Sequence, residues 1–292
     1  MFRVLVLAAL LAAGSRAYAE VTPYTLERTE VHEVPSPELG RSYDVYVALP
    51  QSYAANPERR YPVVVTTDAT YAFPVTRALA GRVGDEGRGL DDFIIVGLGY
   101  AKGDTPPDSR RRDYTPSENG PKSAGDAVHG RVEDYRQYVE TKVLPFVMAN
   151  YRIDDTRMIF SGHSYGSLFG LHVLFTKADM FDAYILGSPS LWFDKKVMFE
   201  REAAYAAANS DLKAKVFFAI GSYETMKPGS DDPRYHDEVD MVGDLERFVA
   251  VLKERNYPGL DVTSEVIDGE DHLTVGAIVI THGLLWALKP RP

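Results

Sequence analysis

Residues 158–166 constrain this chain more than any other stretch. Met158-Ile159-Phe160-Ser161 is a short apolar run of the kind that forms a buried strand, and it passes without a spacer into Gly162-His163-Ser164-Tyr165-Gly166. Leu168–Lys177 follows and is apolar nearly all round, which suits a helix enclosed on every side. A strand that becomes a buried helix within a few residues brings the positions flanking the turn close to neighbouring backbone. Gly162 and Gly166 occupy those positions, where a side chain would clash. Ser164 between them then sits in a strained bend with its hydroxyl lifted clear. G-x-S-x-G alone is a common pattern; at a strand–helix junction it reads as a nucleophile elbow.

Elsewhere, short β-branched runs alternate with helical patterns. Candidate strands are Tyr43–Ala48, Val63–Thr67, Phe93–Leu98, Met158–Ser161, Ala183–Leu186, Val216–Ile220 and Val262–Ile267. Val63-Val64-Val65 and Phe93-Ile94-Ile95-Val96 are continuously apolar, as expected for strands covered on both faces. Helical candidates are Val132–Ala149, bent at Pro145, then Leu168–Lys177, Leu245–Glu254 and Thr274–Leu288. This alternation predicts an α/β fold: one mostly parallel central sheet with helices on both faces. Tyr24–His32 and Tyr43–Ala48 are expected to pair as an antiparallel N-terminal edge. Lys102–Gly130, rich in Pro, Gly, Ser, Asp and Arg, reads as a long loop and a site wall. No repeat or linker divides the chain, so a single domain over residues 20–292 is expected.

A serine hydroxyl is a weak nucleophile, so it needs a base within hydrogen-bond reach and a third group to orient that base. Behind such an elbow the partners follow in the chain order serine, acid, histidine. Of the seven histidines, His32 and His129 precede the serine, while His163 and His172 lie in the elbow and the helix behind it. His236 sits in an acidic stretch and His282 mid-way along the last helix. His272, in Asp268-Gly269-Glu270-Asp271-His272, falls in a loop between the last strand and the last helix, where the base belongs. Glu224 stands at the end of the apolar run Val216–Ile220 and is the leading candidate for the acid, with Asp231, Asp232 and Asp237 as alternatives in the same segment.

Composition narrows the partners. Lys+Arg number 32 against 42 Asp+Glu, a net charge of −10, which disfavours nucleic acid. With no cysteine, neither a disulfide, a thiolate metal site nor a cysteine nucleophile is available. Met1-Phe2-Arg3, the uncharged run Val4–Gly14 and Ala17-Tyr18-Ala19 form the three regions of a secretory signal peptide (residues 1–19), too short to be a membrane anchor. Cleavage after Ala19 removes Arg3, Arg16 and no acidic residue, leaving a net charge of −12 on a secreted or periplasmic product.

Five segments taken together resemble one family. They are Gly162-His163-Ser164-Tyr165-Gly166, Val96-Gly97-Leu98-Gly99-Tyr100, Arg111-Arg112-Asp113-Tyr114-Thr115-Pro116, Ser188-Pro189-Ser190-Leu191-Trp192 and Gly269-Glu270-Asp271-His272. Over about residues 25–290 the chain is similar to the esterase D-like family of α/β hydrolases ("putative esterases"), especially the branch holding trilactone-siderophore hydrolases and ferri-bacillibactin esterase. The resemblance implies an α/β-hydrolase fold, no metal or other cofactor, and a small-molecule ester substrate. It implies Ser164 as nucleophile, His272 as base and the position near Glu224 for the acid. The oxyanion would meet the Tyr165 amide and an amide of Ala69 or Thr70, where the family usually has Asp-Gly and this chain has Asp68-Ala69. Substrates across the family include siderophore lactones, feruloyl and acetyl esters of polysaccharides and S-formylglutathione, and some members transfer the acyl group to an alcohol. Trp192, Tyr71, Tyr100 and Tyr114 are expected to form an aromatic wall. Arg110-Arg111-Arg112 either meets an anionic group of the substrate, with Arg111 as the candidate contact, or pairs with Asp108 and Asp113. Gly97-x-Gly99 lacks the third glycine and the helix of a nucleotide site.

Overall fold

The computed structural model describes residues 22–83 and 90–289. The signal segment 1–19 therefore lies outside the described residues. Eight strands form one sheet: β1 (Thr29–Ser36), β2 (Arg41–Ala48), β3 (Tyr61–Thr66), β4 (Ile94–Ala101), β5 (Ile153–His163), β6 (Ala183–Gly187), β7 (Ala214–Gly221) and β8 (Leu260–Ile267). Their order is β1-β2-β4-β3-β5-β6-β7-β8. Pairing is antiparallel at β1–β2 and β2–β4 and parallel from β4 through β8. The N-terminal edge begins later than expected: Thr29, not Tyr24, pairs first, and Tyr24 is exposed outside the strand. Gly40, at φ +62°, closes the turn into β2.

Helices α1 (Ala69–Val83) and α8 (Val275–Ala287) cover one face. The other face carries α2 (Pro106–Tyr114), α3 (Val132–Tyr138), α4 (Leu144–Asn150), α5 (Tyr165–Thr176), α6 (Phe193–Ala208) and α7 (Met241–Glu254). The continuous apolar runs follow from this double cover. Val63 and Val65 point into the α5 side and Val64 into the α1–α8 side, and Ile94 and Val96 oppose Ile95 in the same way. Each such side chain contributes about 1.5–3 kcal/mol by leaving water.

Two expectations are modified. The stretch from Val132 is interrupted by a π turn, Val139–Val143, immediately before Pro145 in the first turn of α4. Proline lacks the N–H that a regular ladder needs, and the wider turn accommodates the break. The segment Lys102–Gly130 is not all loop, since it contains α2. Thr105 caps that helix by accepting the Asp108 amide, and Pro106 and Pro107 occupy its first turn, where no N–H is needed. No helix among the described residues is long and apolar enough to cross a membrane.

The helix behind the serine is seated by Gly170, whose added Cβ would lie 2.5 Å from Phe160 Cε1 and 2.6 Å from Leu186 Cδ2. Alanine normally stabilises a helix over glycine by about 1 kcal/mol. Here the sign reverses, because the methyl would wedge α5 off β5 and β6. Gly170→Ala should lower unfolding free energy by about 1–3 kcal/mol in a denaturant titration; an unchanged or higher midpoint would contradict this packing.

Candidate active site

Ser164 joins β5 to α5 at φ 59° and ψ −118°, a left-handed conformation held by its surroundings. Its amide donates to Gly187 O at 2.9 Å, and the Ser167 hydroxyl donates to the Gly162 and Gly187 carbonyls at 2.9 and 2.8 Å. A Cβ on Gly162 would sit 2.5 Å from Gly166 O, and one on Gly166 would collide with Thr67 Oγ1. The two glycines are therefore demanded by close approach.

Three side chains meet above this turn. Ser164 Oγ lies 3.0 Å from His272 Nε2, and His272 Nδ1 lies 2.6 Å from Glu224 Oε2. Glu224 follows β7 and is fully buried. Its other oxygen accepts from the Ser188 hydroxyl at 2.6 Å and the Gly221 amide at 2.9 Å. Burial alone would raise the Glu224 carboxyl, but the bonds and charge of His272, with Ser188 and Gly221, more than offset it and hold the group below the usual carboxylate range. An ionised Glu224 fixes the proton on His272 Nδ1 and leaves Nε2 as the acceptor facing Ser164. Asp232 instead binds Arg234, Asp237 accepts the Gly229 amide, and Asp231 is exposed.

The His272 loop is pinned from two sides. A Cβ on Gly221 would collide with Glu270 O, so only glycine lets the loops carrying Glu224 and His272 pack this closely. His163 Nε2–H donates to the His272 carbonyl at 2.9 Å, with the two rings 4.8 Å apart. His163 keeps some solvent contact, but its Nδ1 is buried without a partner. Desolvation, aided by neighbouring His272, pushes His163 down to about 3, so it stays neutral beside His272.

Two helix N-termini face the serine's strand end. Tyr165 opens α5, and its amide has no intrahelical partner. In α1 the amides of Tyr71 and Ala72 both bond to Asp68 O, leaving those of Ala69 and Thr70 without such bonds. The left-handed residue here is Asp68, at φ 55°, not Ala69. Ala69 is helical and buried, and a Cβ on Gly97 would sit 2.9 Å from its own Cβ. Alanine in place of the family's glycine therefore meets no conformational penalty. Gly97 and Gly99 mark crowding against Ala69, Phe73 and β2, not a nucleotide cradle.

The expected aromatic wall is only partly assembled. Trp192 is half-buried, 6.2 Å ring to ring from Tyr165. The segment after Trp192 turns left-handed at Asp194, Lys195 and Lys196, and Asp194 is tethered by Ser117 Oγ at 2.5 Å and Asn119 Nδ2 at 3.1 Å. Tyr71 is exposed, with its hydroxyl packed against Gly276 of α8. Tyr100 donates to Asp68 Oδ1 at 2.7 Å, so it braces the α1 loop. Tyr114 does not belong to the wall: it is fully buried against Tyr135 and Phe169. The three arginines diverge. Arg110 donates to Asp68 Oδ1 at 2.7 Å and lies over the Tyr165 ring; Arg112 is buried with Asp104 and Asp113. Arg111 keeps a partly exposed side chain, with Asp108 at 3.6 Å. Asp68, His163, Ser188 and Ser190 were given no role from sequence, although Ser188, Ser190 and His163 lie in the motif segments, and Arg110 was read only as part of the basic cluster.

Fold and family together define an α/β hydrolase that acts on carboxylic esters. The family described as "Putative esterase" matches residues 36–255, and the chain belongs to it. It is 29% identical over 280 residues to "Ferri-bacillibactin esterase BesA" of Bacillus subtilis, covering 91% of this chain and 92% of that one. It is 26% identical over 293 residues to "Siderophore triacetylfusarinine C esterase" of Aspergillus fumigatus, covering 93% and 97%. The crystal structure of the BES protein from Bacillus cereus superposes with a TM-score of 0.78 at 25% identity, over 94% of this chain and 99% of that one.

Enclosed neutral histidines carry a pH consequence. His172 donates from Nε2 to Glu133 at 2.8 Å and accepts from Arg201 at 2.5 Å, and burial, with Arg201, lowers it to about 4. An unfolded histidine titrates near 6.5. Both folded values lie below it, so their contribution is complete above about pH 6.5 and is lost as pH falls toward 4 and then 3. The urea midpoint should therefore decline between about pH 6.5 and 5, above the carboxylate range, and less steeply in His172→Gln. A flat midpoint across that window would contradict the neutral assignment.

Proposed function

We propose that the protein is an exported serine esterase that opens the ester bonds of siderophore trilactones. The observation that carries the serine mechanism is the unbroken contact series from Ser164 through His272 to a buried Glu224. His272 Nε2 takes the Ser164 proton as Oγ attacks the ester carbonyl. The oxyanion is received by the Tyr165 amide and by an amide at Ala69–Thr70, each such donor being worth roughly 3 kcal/mol. His272 then protonates the departing alcohol, and water releases the acyl group by the same steps reversed. No step calls on a metal or organic cofactor.

The siderophore reading is supported by similarity, over 91% or more of each chain, to a ferri-bacillibactin esterase and a triacetylfusarinine C esterase. Trp192 and the partly exposed Arg111 suit an aromatic, anionic ligand. Export rests on the charge–apolar–small-residue order of residues 1–19.

Ser164→Ala should lower kcat by at least about 10^4-fold, and Glu224→Gln by roughly 10^3–10^4-fold with KM little changed; retained turnover in Ser164→Ala would reject the nucleophile. Among a ferric triscatechol trilactone, a feruloyl ester and an acetylated sugar, the trilactone should give the highest kcat/KM. A tenfold preference for either of the others, or acyl transfer to an added alcohol exceeding hydrolysis, would overturn the substrate assignment. Expressed from Met1 in a Gram-negative host, the protein should be recovered outside the cytoplasm with Glu20 at its N-terminus; an uncut cytoplasmic chain would refute export.

A further inference from the structure

Beyond β6 the chain leaves the sheet through Ser188-Pro189-Ser190, and this tripeptide touches both ends of the contact series. Ser188, at φ 39°, donates to Glu224 Oε1. Ser190, almost completely buried, places its hydroxyl oxygen 3.2 Å from Ser164 Oγ. A proton count decides which serine donates. Glu224 is ionised and accepts a hydrogen bond from the Nδ1–H of His272, so Nε2 can only accept. Ser164 has a single hydroxyl proton, and it points to Nε2. The proton between the two serines must therefore belong to Ser190.

We infer that Ser190 is a further catalytic residue, whose hydroxyl donates a hydrogen bond to Ser164 Oγ and assists its release from the acyl-enzyme. The inference rests on the proposed role of Ser164. In the acyl-enzyme, Oγ is an ester oxygen and a poor acceptor. Water adds to the acyl carbon while His272 Nε2 takes its proton. The carbon–Oγ bond then breaks, its electron pair stays on Oγ, and Nε2 returns the proton to Oγ. Ser190 keeps its own proton throughout. Its hydrogen bond strengthens as Oγ gains negative charge, which lowers the barrier to release. Acylation gains no such help: the bond is already formed in the resting enzyme, and Oγ spends its lone pair on the new carbon bond. The hydroxyl thus favours the second half of the reaction over the first.

An activated aryl ester separates the two halves, because its good leaving group makes acylation fast, so that kcat reports deacylation and kcat/KM reports acylation. Ser190→Ala should lower kcat about tenfold (~1.4 kcal/mol), leave kcat/KM within about twofold, and raise the aryl-alcohol burst toward one equivalent per protein. Ser190→Cys, close in shape but a weak donor, should show the same split in smaller degree and carries the test should the alanine variant fold poorly. Equal loss in kcat and kcat/KM, or no change in either, overturns the role of Ser190. A fluorophosphonate assay run alongside separates the two levels of failure. If Ser164 of the unsubstituted protein is not labelled, the nucleophile reading itself falls; if it is labelled and the split is absent, only the role of Ser190 falls.

Discussion

A carboxylate with no exposed surface must remain charged at the end of β7, and much of the local architecture follows from that requirement. An unpaired buried charge costs several kcal/mol. Glu224 avoids this cost by accepting from Ser188, Gly221 and His272 on its two oxygens. Those bonds also orient the imidazole, so one set of contacts keeps Glu224 ionised and aims His272 Nε2 at Ser164.

The remaining parts arrive from the carboxyl ends of adjacent parallel strands. Thr67 and Asp68 follow β3, Ser164 follows β5, Ser188 and Ser190 follow β6, Glu224 follows β7, and His272 lies beyond β8. Parallel pairing brings these ends together at one rim of the sheet, where an open α/β sheet binds its ligand. Glycines 162, 166 and 221 stand where backbones approach too closely for any side chain. Behind the rim, Asp68 gathers Tyr100 and Arg110 and holds the start of α1 in its left-handed turn.

How much of this was legible in the sequence depended on the kind of signal. The strands β3, β4 and β7 were readable because burial on both faces leaves an uninterrupted apolar run. The elbow was readable because steric exclusion forces glycine at two fixed positions. His272 was found by its place after the last strand, and Glu224 by its place at a strand end, with Asp231, Asp232 and Asp237 further along the same segment left as alternatives. The contacts between strand ends 26 to 109 residues apart were invisible, since no local pattern records them. Hence Ser190, His163 and Asp68 passed without a role. Helix α2 was hidden by a composition that suits loops, although its Thr-Pro-Pro-Asp start is a capping sequence. Tyr114 showed the converse error: an aromatic in a polar-looking segment belongs to the core.

If Ser164 is the nucleophile, a covalent acyl group forms on its Oγ during turnover. Rapid acid quenching of the enzyme with a slowly deacylating ester, followed by peptide mass spectrometry, measures this directly. The acyl mass is expected on the peptide containing Ser164, and is expected to be absent in Ser164→Ala and His272→Ala. Turnover without an acylated Ser164, or an acyl group carried on another residue, would contradict it.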